Sequence, residues 1–221
     1  MSIKWITIKT AVNVFIRNGG GVQDVGLFQA CNQITQSSIN IVLMAMAADF
    51  FPRLSQHKGD WGKMREIATQ QAEVAILLST PIIVGIIIFA PLIITLLLSK
   101  DFLSITDAIS WFLFGTIFRI SSWAINYVLL ANGSTKWYVV NVILNNSMLV
   151  PLYCFGYMLD GITGIGKSYV ILMILYSIIQ YLIVYKKFKF KFYSSFFRLF
   201  GVALVLSLFA LFISDNKENS F

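Results

Sequence analysis

The chain is dominated by apolar stretches that are each close to the length of one membrane crossing. The hydrocarbon core of a bilayer is about 30 Å thick and a helix rises about 1.5 Å per residue, so about 20 apolar residues cross it once. A helix also satisfies its own backbone hydrogen bonds, which lipid cannot do. The sequence therefore predicts an all-α, polytopic membrane helix bundle with about six transmembrane helices, at 25–48, 74–98, 108–131, 137–158, 163–185 and 197–214.

The two ends of the chain are less regular than its middle. Segment 3–16 is apolar but about 14 residues long, which is short for a full crossing, so we expect a partial N-terminal helix there. Stretch 197–214 is about 18 residues long, and it is compatible with either a weak span or a helix lying in the interface. We therefore divide the chain into a transmembrane domain, 1–185, and a C-terminal part, 186–221, with a basic segment, a short apolar helix and a polar tail.

Basic residues are unevenly distributed among the predicted loops, and the chain carries a net charge of +7. Because Lys and Arg near span ends are retained on the cytoplasmic side, their positions predict orientation. This membrane pattern explains the positive charge without a nucleic-acid partner. The residues expected on the cytoplasmic side are Arg53, Lys58, Lys63, Arg65, Lys136, Lys186, Lys187, Lys189, Lys191 and Arg198, and those expected outside are Arg17, Lys100, Lys167 and Lys217.

One face of the first full span is rich in amide side chains. Polar residues recur there at positions i, i+3, i+4, i+7 and i+11, so at about 100° per residue they form a single stripe. Amides cost free energy in lipid and normally face a cavity or another helix. Either they join helices through hydrogen bonds or they line a binding site. The five residues are Gln29, Asn32, Gln33, Gln36 and Asn40.

Arg119 is a cation near the centre of its span, on the same helical face as Asn126. An ionisable residue inside the membrane is a functional-site hypothesis by default, and it competes here with a structural ion pair and with a side chain that reaches the interface. Asn141 and Asn145 repeat the polar spacing in the next span. Arg17 is a weaker candidate because charges at span ends are ordinary.

Signatures of enzymes and cofactors are absent or lack their structural context. Residues 161–168 match the phosphate-loop pattern G-x-x-x-x-G-K-[ST], but that motif needs a soluble strand before it and a helix after it. Here it falls in a tight hairpin between two spans. His57 is the only histidine, and Cys31 and Cys154 lie inside spans, so neither a His-dependent triad nor an ordinary zinc site can be assembled. We expect no nucleotide, metal or other cofactor, and no enzymatic activity.

Several landmarks occur in a fixed order between about residue 15 and residue 185. They are FIR at 15–17 followed by VGLFQA at 25–30, FPRLS at 51–55, DF at 101–102, SW at 122–123, LANGSTKW at 130–137 and GITGIG at 161–166. Through these motifs and their order along the chain, the sequence resembles the lipid-linked oligosaccharide flippases of the multidrug/oligosaccharidyl-lipid/polysaccharide exporter superfamily. Within this superfamily it resembles especially the translocases of O-antigen and enterobacterial common antigen.

This resemblance implies translocation of undecaprenyl-pyrophosphate-linked oligosaccharide across the bacterial inner membrane, by a two-lobed bundle with a central cationic cavity. Only the second, C-terminal lobe is matched. We therefore expect either one half of a split transporter, which needs an N-terminal lobe as partner, or a non-functional fragment of a disrupted gene. The alternatives are an exporter of small amphipathic solutes and a membrane enzyme such as a glycan polymerase or lipid-linked sugar transferase. Such an enzyme usually needs a large polar outer loop with catalytic residues, whereas the outer loops here are only about 5–10 residues long.

The resemblance also suggests roles for the polar residues inside the spans. Arg119, helped by Arg17, would neutralise the diphosphate of the cargo. The amides would hydrogen-bond the sugars, while the polyprenyl tail stays among membrane lipids. The amides assigned to this role are Gln29, Asn32, Gln33, Gln36, Asn40, Asn126, Asn141 and Asn145.

Overall fold

The computed structural model describes the backbone of residues 3–218 and the side chains of residues 10–215. The described backbone is helical and contains no strand, which confirms the predicted all-α bundle. Within it, five helices are long and apolar enough to cross a membrane, and the chain is a multi-pass membrane protein. The elements are α1 (Ile3–Gln56), α2 (Trp61–Ile88), α3 (Ala90–Leu97), a 3₁₀ helix (Lys100–Ile105), α4 (Thr106–Ala131), α5 (Thr135–Phe188) and α6 (Ser194–Glu218).

Helix α5 is a hairpin of two limbs. Its 54 residues would extend about 80 Å at about 1.5 Å per residue, far beyond the width of a bilayer. The helix is broken at Gly161, whose φ of 53° is a left-handed conformation that glycine adopts without steric cost. Beyond the break, the backbone of Gly164 packs against that of Gly156, although a straight helix would separate them by about 12 Å. The chain therefore reverses into limbs 135–159 and 162–188.

Helix α1 reverses in the same way at Gly21, which has a φ of 83°. The Tyr157 hydroxyl donates to Asp24 Oδ2 at 2.6 Å and lies 3.5 Å from the carbonyl oxygen of Ile16, so residues on both sides of Gly21 meet one side chain. The two limbs are 3–20 and 22–56. With both hairpins counted, the helices account for the six predicted spans and the partial N-terminal helix.

Helix α4 lies at the centre of the bundle, and glycines bring it close to the second limb of α5. A Cβ atom on Gly115 would lie 2.7 Å from Tyr169 Cδ1, and one on Gly166 would lie 2.9 Å from the carbonyl oxygen of Ala108. Small residues let membrane helices approach closely, which increases their van der Waals contact. This tight packing fixes the position of α4 relative to α5.

Helix α6 packs lengthwise against the bundle. It contacts α2 and α4, and a stripe of its residues is buried along most of its length: Phe196, Ala203, Ser207 and Ala210. The helix is also longer than the predicted stretch 197–214, because it begins at Ser194. Length and packing together favour a membrane crossing over the interfacial helix that the sequence left open.

The loops predicted to be cytoplasmic lie at one end of the bundle. The rings of Trp61 and Phe188 stack with centroids 5.0 Å apart, and Lys187 Nζ lies 5.2 Å from the centroid of Trp137. These contacts join the three basic loops, as alternating crossings require. That this end faces the cytoplasm stays a prediction. The side chain of Lys217 and the final residues 219–221 lie outside the part of the chain that the structure describes.

Candidate substrate cavity

Arg119 lies midway along α4 and points towards the second limb of α1. Its guanidinium donates from Nη1 to Gln36 Oε1 and from Nη2 to Asn40 Oδ1. These two acceptors are four residues apart, so they lie one above the other on the same face of α1. The cation of α4 and the amide stripe of α1 therefore form one site.

The charge of Arg119 has no acidic partner in the part of the chain whose side chains are described. The ion pairs there are Arg53–Asp49, Lys63–Glu66 and Lys167–Asp160, and none includes Arg119. The amide oxygens of Gln36 and Asn40 accept hydrogen bonds but carry no net charge. The site therefore retains a positive charge inside the bundle, where an anion would interact with it more strongly than in water.

The other amides on α1 leave hydrogen-bonding capacity for a ligand. Asn32 Nδ2 donates to the carbonyl oxygen of Phe28 at 3.3 Å, and Gln33 Nε2 donates to Ser37 Oγ at 3.0 Å. Gln29 and Gln33 are exposed, so the amide stripe also forms an opening on one side of the bundle. A ligand can reach the site from this side without crossing the packed core.

Arg119 and the amides line a cavity of about 520 Å³. That volume is within the range of roughly 300–1,000 Å³ common for small-molecule sites. Both limbs of α1, helix α4 and both limbs of α5 contribute to its walls. The lining residues are Val12, Asn13, Phe28, Gln29, Asn32, Gln33, Gln36, Asn40, Arg119, Asn145, Asn146, Leu149, Tyr153, Tyr169 and Met173.

Aromatic rings pack together at the end of the cavity nearest the two hairpin turns, where Phe28, Tyr153 and Tyr169 line it. Phe112 is at the centre of this group, 6.5 Å from Phe28, 6.2 Å from Tyr153 and 5.0 Å from Tyr169 between ring centroids. Edge-to-face and tilted packing of this kind holds rings in fixed positions. The cavity thus has an aromatic end near the hairpin turns and a cationic end at mid-bundle.

Two polar groups of α5 in the cavity are buried without a hydrogen-bond partner, Asn145 Oδ1 and the Tyr169 hydroxyl. Leaving such a group unsatisfied costs about 1–3 kcal/mol. Both groups can accept hydrogen bonds and the hydroxyl can also donate one. A ligand rich in hydroxyl groups would satisfy both of them.

Seven of the ten residues predicted to bind substrate line the cavity, and three do not. Arg17 is exposed outside it. Asn126 faces α5, where its Nδ2 donates to the Tyr176 hydroxyl at 3.3 Å and its Oδ1 accepts from Gln180 Nε2 at 2.7 Å. Asn141 is buried with both polar side-chain atoms unpartnered, but it is not part of the cavity lining. The seven that line the cavity are Arg119, Gln29, Asn32, Gln33, Gln36, Asn40 and Asn145.

Five polar or aromatic lining residues were missed by the sequence analysis: Asn13, Phe28, Asn146, Tyr153 and Tyr169. Asn13 belongs to the segment that was too short to be assigned as a span, and its role appears only when α1 folds back. Asn146 directly follows Asn145 in the sequence, and for that reason it could have been included among the predicted substrate-binding residues. Tyr169 lies on the same helical face as Tyr176 and Gln180, a signal that was present in the spacing.

The segment that matches the phosphate-loop pattern has structural partners for its conspicuous residues. Gly161 makes the hairpin turn, Gly164 packs against Gly156, and Lys167 Nζ forms an ion pair with Asp160 Oδ2 at 2.6 Å. The motif therefore folds as the start of a helical limb. That the chain binds no nucleotide and has no enzymatic activity stays a prediction.

The fold and the cavity together define a class of protein, a multi-pass α-helical membrane protein with a cationic, amide-lined internal cavity. Residues 3–107 match the family model described as polysaccharide biosynthesis protein. The matched region runs from α1 to the beginning of α4 and includes the amide stripe, whereas Arg119 lies beyond it. No curated protein and no solved structure matches the chain. The match supports a role in polysaccharide synthesis or export.

Proposed function

We propose that this chain translocates undecaprenyl-pyrophosphate-linked oligosaccharide, the O-antigen or a related polysaccharide repeat unit, across the bacterial inner membrane. The observation that carries the proposal is the unpaired cation of Arg119 inside an amide-lined cavity. The match to a polysaccharide biosynthesis family over residues 3–107 supports this class of cargo.

Each part of such a cargo has a counterpart in the described side chains. The diphosphate is an anion, and Arg119 presents guanidinium N–H donors that suit phosphate oxygens. The glycan is rich in hydroxyl groups, and the amides of α1 can both donate to them and accept from them. The polyprenyl tail is apolar and can remain in lipid beside exposed apolar residues such as Ile41 and Met44 of α1.

We further propose that a second lobe packs over the open side of the cavity. Gln29 and Gln33 line the cavity and are exposed, and polar groups at membrane depth normally face a protein surface or a water-filled space. A partner lobe would shield them from lipid. Rocking of the two lobes would then open the cavity to each side of the membrane in turn, as in other transporters whose central site lies between two bundles.

Complementation tests this function in cells. A strain lacking its own flippase would express the chain alone or together with a first-lobe partner, and surface O-antigen or common antigen would be scored. We expect rescue with the partner, and loss of rescue when Arg119 is changed to Ala. Arg53→Ala is the matched control, because Arg53 is exposed and paired with Asp49, away from the cavity.

Two outcomes would contradict the proposal. The first is failure of rescue in both arms although the protein is shown to insert in the membrane, which favours a non-functional fragment. The second is rescue that is indifferent to Arg119→Ala, which means that the cavity does not act on the anionic head group. Export of small amphipathic solutes without any antigen rescue would support the solute exporter instead.

A further inference from the structure

A second concave surface lies on the outside of the bundle, where α4, the second limb of α5 and the start of α6 meet. Its walls are almost entirely apolar, and it has a volume of about 250 Å³. Ile178 and Phe197 are about half exposed, so it opens towards the surrounding lipid. We call it the α6 groove, and its main lining residues are Phe118, Ile125, Ile178, Leu182, Phe196 and Phe197.

The two serines that line the α6 groove, Ser121 and Ser177, do not need a polar ligand. Ser121 Oγ donates to the carbonyl oxygen of Phe118 at 2.8 Å. Ser177 Oγ lies 3.0 Å from that same oxygen and 3.0 Å from Ser122 Oγ. These serines are satisfied by the helices themselves, so the groove suits a hydrocarbon occupant.

The α6 groove is separate from the cavity that contains Arg119. Phe118 lines the groove and Arg119 lines the cavity, so α4 stands between the two. The groove extends along α5 from Ile174 to Leu182, a rise of about 12 Å. That length accommodates part of a single acyl chain. An occupant here does not compete with a ligand in the cavity.

Arg65 lies beside one end of the α6 groove, the end that is lined by Phe192. Arg65 Nη2 lies 3.5 Å from the carbonyl oxygen of Phe192, and its Cζ lies 4.0 Å from the centroid of the Tyr193 ring. Its Nε is buried without a hydrogen-bond partner, and none of the ion pairs among residues 10–215 includes it. Arg65 belongs to the basic end of the bundle, where a phosphate at headgroup level would meet it.

We infer that the α6 groove binds one anionic phospholipid, with an acyl chain along Phe118 and Ile178 and the phosphate at Arg65. The groove supplies the apolar surface, and the Arg65 guanidinium, which has no acidic partner among the described side chains, supplies the charge that distinguishes an anionic from a zwitterionic headgroup. Ordinary boundary lipid would occupy the surface without this preference. The inference goes beyond the proposed transport function and does not depend on it.

Native mass spectrometry of the full chain, released from nanodiscs of equal phosphatidylglycerol and phosphatidylcholine, tests this site. We expect one retained phosphatidylglycerol with at least tenfold preference over phosphatidylcholine. Arg65→Gln should lower that retention at least tenfold, and Ile178→Trp, which fills the groove, should lower it independently. The matched controls are Arg53→Gln, an exposed cation with a partner, and Ile171→Trp, an equally exposed residue of the same limb outside the groove.

Equal retention of the two lipids would overturn the inference, because the site would then have no charge selectivity. Unchanged phosphatidylglycerol retention in a folded Arg65→Gln or Ile178→Trp variant would also overturn it. In nanodiscs supplemented with a polyprenyl phosphate, displacement of phosphatidylglycerol by that lipid would show that the groove binds an isoprenoid lipid. It would refute the proposal that the groove binds a phospholipid. Arg65→Lys, which keeps the charge, should retain phosphatidylglycerol better than Arg65→Gln and provides a second test if the Gln variant fails to insert.

Discussion

Replacing Arg119 with Gln should weaken binding of a polyprenyl pyrophosphate strongly. In the structure the guanidinium donates to the neutral oxygens of Gln36 and Asn40. A diphosphate would replace these acceptors with charged ones, and charge-assisted hydrogen bonds are roughly twice as strong as neutral ones. A hydrogen bond to a charged group contributes about 1.5–3 kcal/mol. Because about 1.4 kcal/mol is a factor of ten, we expect a loss of affinity of about 10- to 150-fold.

The same substitution should have a much smaller effect on folding. It removes the charged hydrogen bonds that join α1 to α4, but it also removes a cation from the membrane interior. On insertion scales an Arg at the centre of a span costs about 2.5–3.5 kcal/mol, which is similar to the hydrogen-bond energy that is lost. We therefore expect the free energy of unfolding to change by about 1 kcal/mol or less.

Both quantities can be measured on the purified chain in nanodiscs. Undecaprenyl pyrophosphate would be titrated while bound lipid is detected, and thermal unfolding would be followed in parallel. Arg119→Lys should give intermediate affinity, because Lys keeps a point charge and loses the planar fork of donors. Arg53→Gln should behave as wild type. An Arg119→Gln affinity within threefold of wild type, at unchanged stability, would refute the reasoning.

Three further predictions concern the hairpins, the helix contacts and the orientation. Gly161→Ala should lower the free energy of unfolding by roughly 1–2 kcal/mol, because its backbone is left-handed. Gly26→Ala, in open space on a helix, should instead raise the free energy of unfolding by up to about 1 kcal/mol. Equal effects of the two substitutions would contradict the hairpin. Asn126→Ala should lower the free energy of unfolding by about 0.6–1.7 kcal/mol and leave the affinity for lipid pyrophosphate unchanged. A lower affinity would mean that Asn126 belongs to the binding site after all. Lys100→Cys should react with an impermeant maleimide on intact spheroplasts and Lys58→Cys only after lysis; the reverse pattern would invert the orientation.

Much of this fold could be predicted from the sequence because lipid imposes strict requirements on length and hydrogen bonding. The amide stripe of α1 was predictable for a related reason, since helical periodicity alone places Gln36 and Asn40 on one face. The neighbour that each face meets was not predictable. Arg119 and Asn126 share a face of α4, yet Arg119 reaches α1 and Asn126 bonds to α5. The polar stripe of α4 lies between two neighbours, and only the packing decides which one each side chain contacts.

Because helix α1 is broken at Gly21, a tilt of its second limb about this residue would grow into a larger displacement with distance along the limb. The limb runs from residue 22 to Gln56, a length of about 52 Å, and Gln36 lies about 22 Å along it. A tilt of about 10° about the glycine would displace Gln36 by about 4 Å and the far end by about 9 Å. The smaller displacement already exceeds the length of a hydrogen bond. A rotation of about 10° at one glycine would therefore separate Arg119 from its amides. The same rotation would move the loop after Gln56, at the basic end of the bundle, about twice as far.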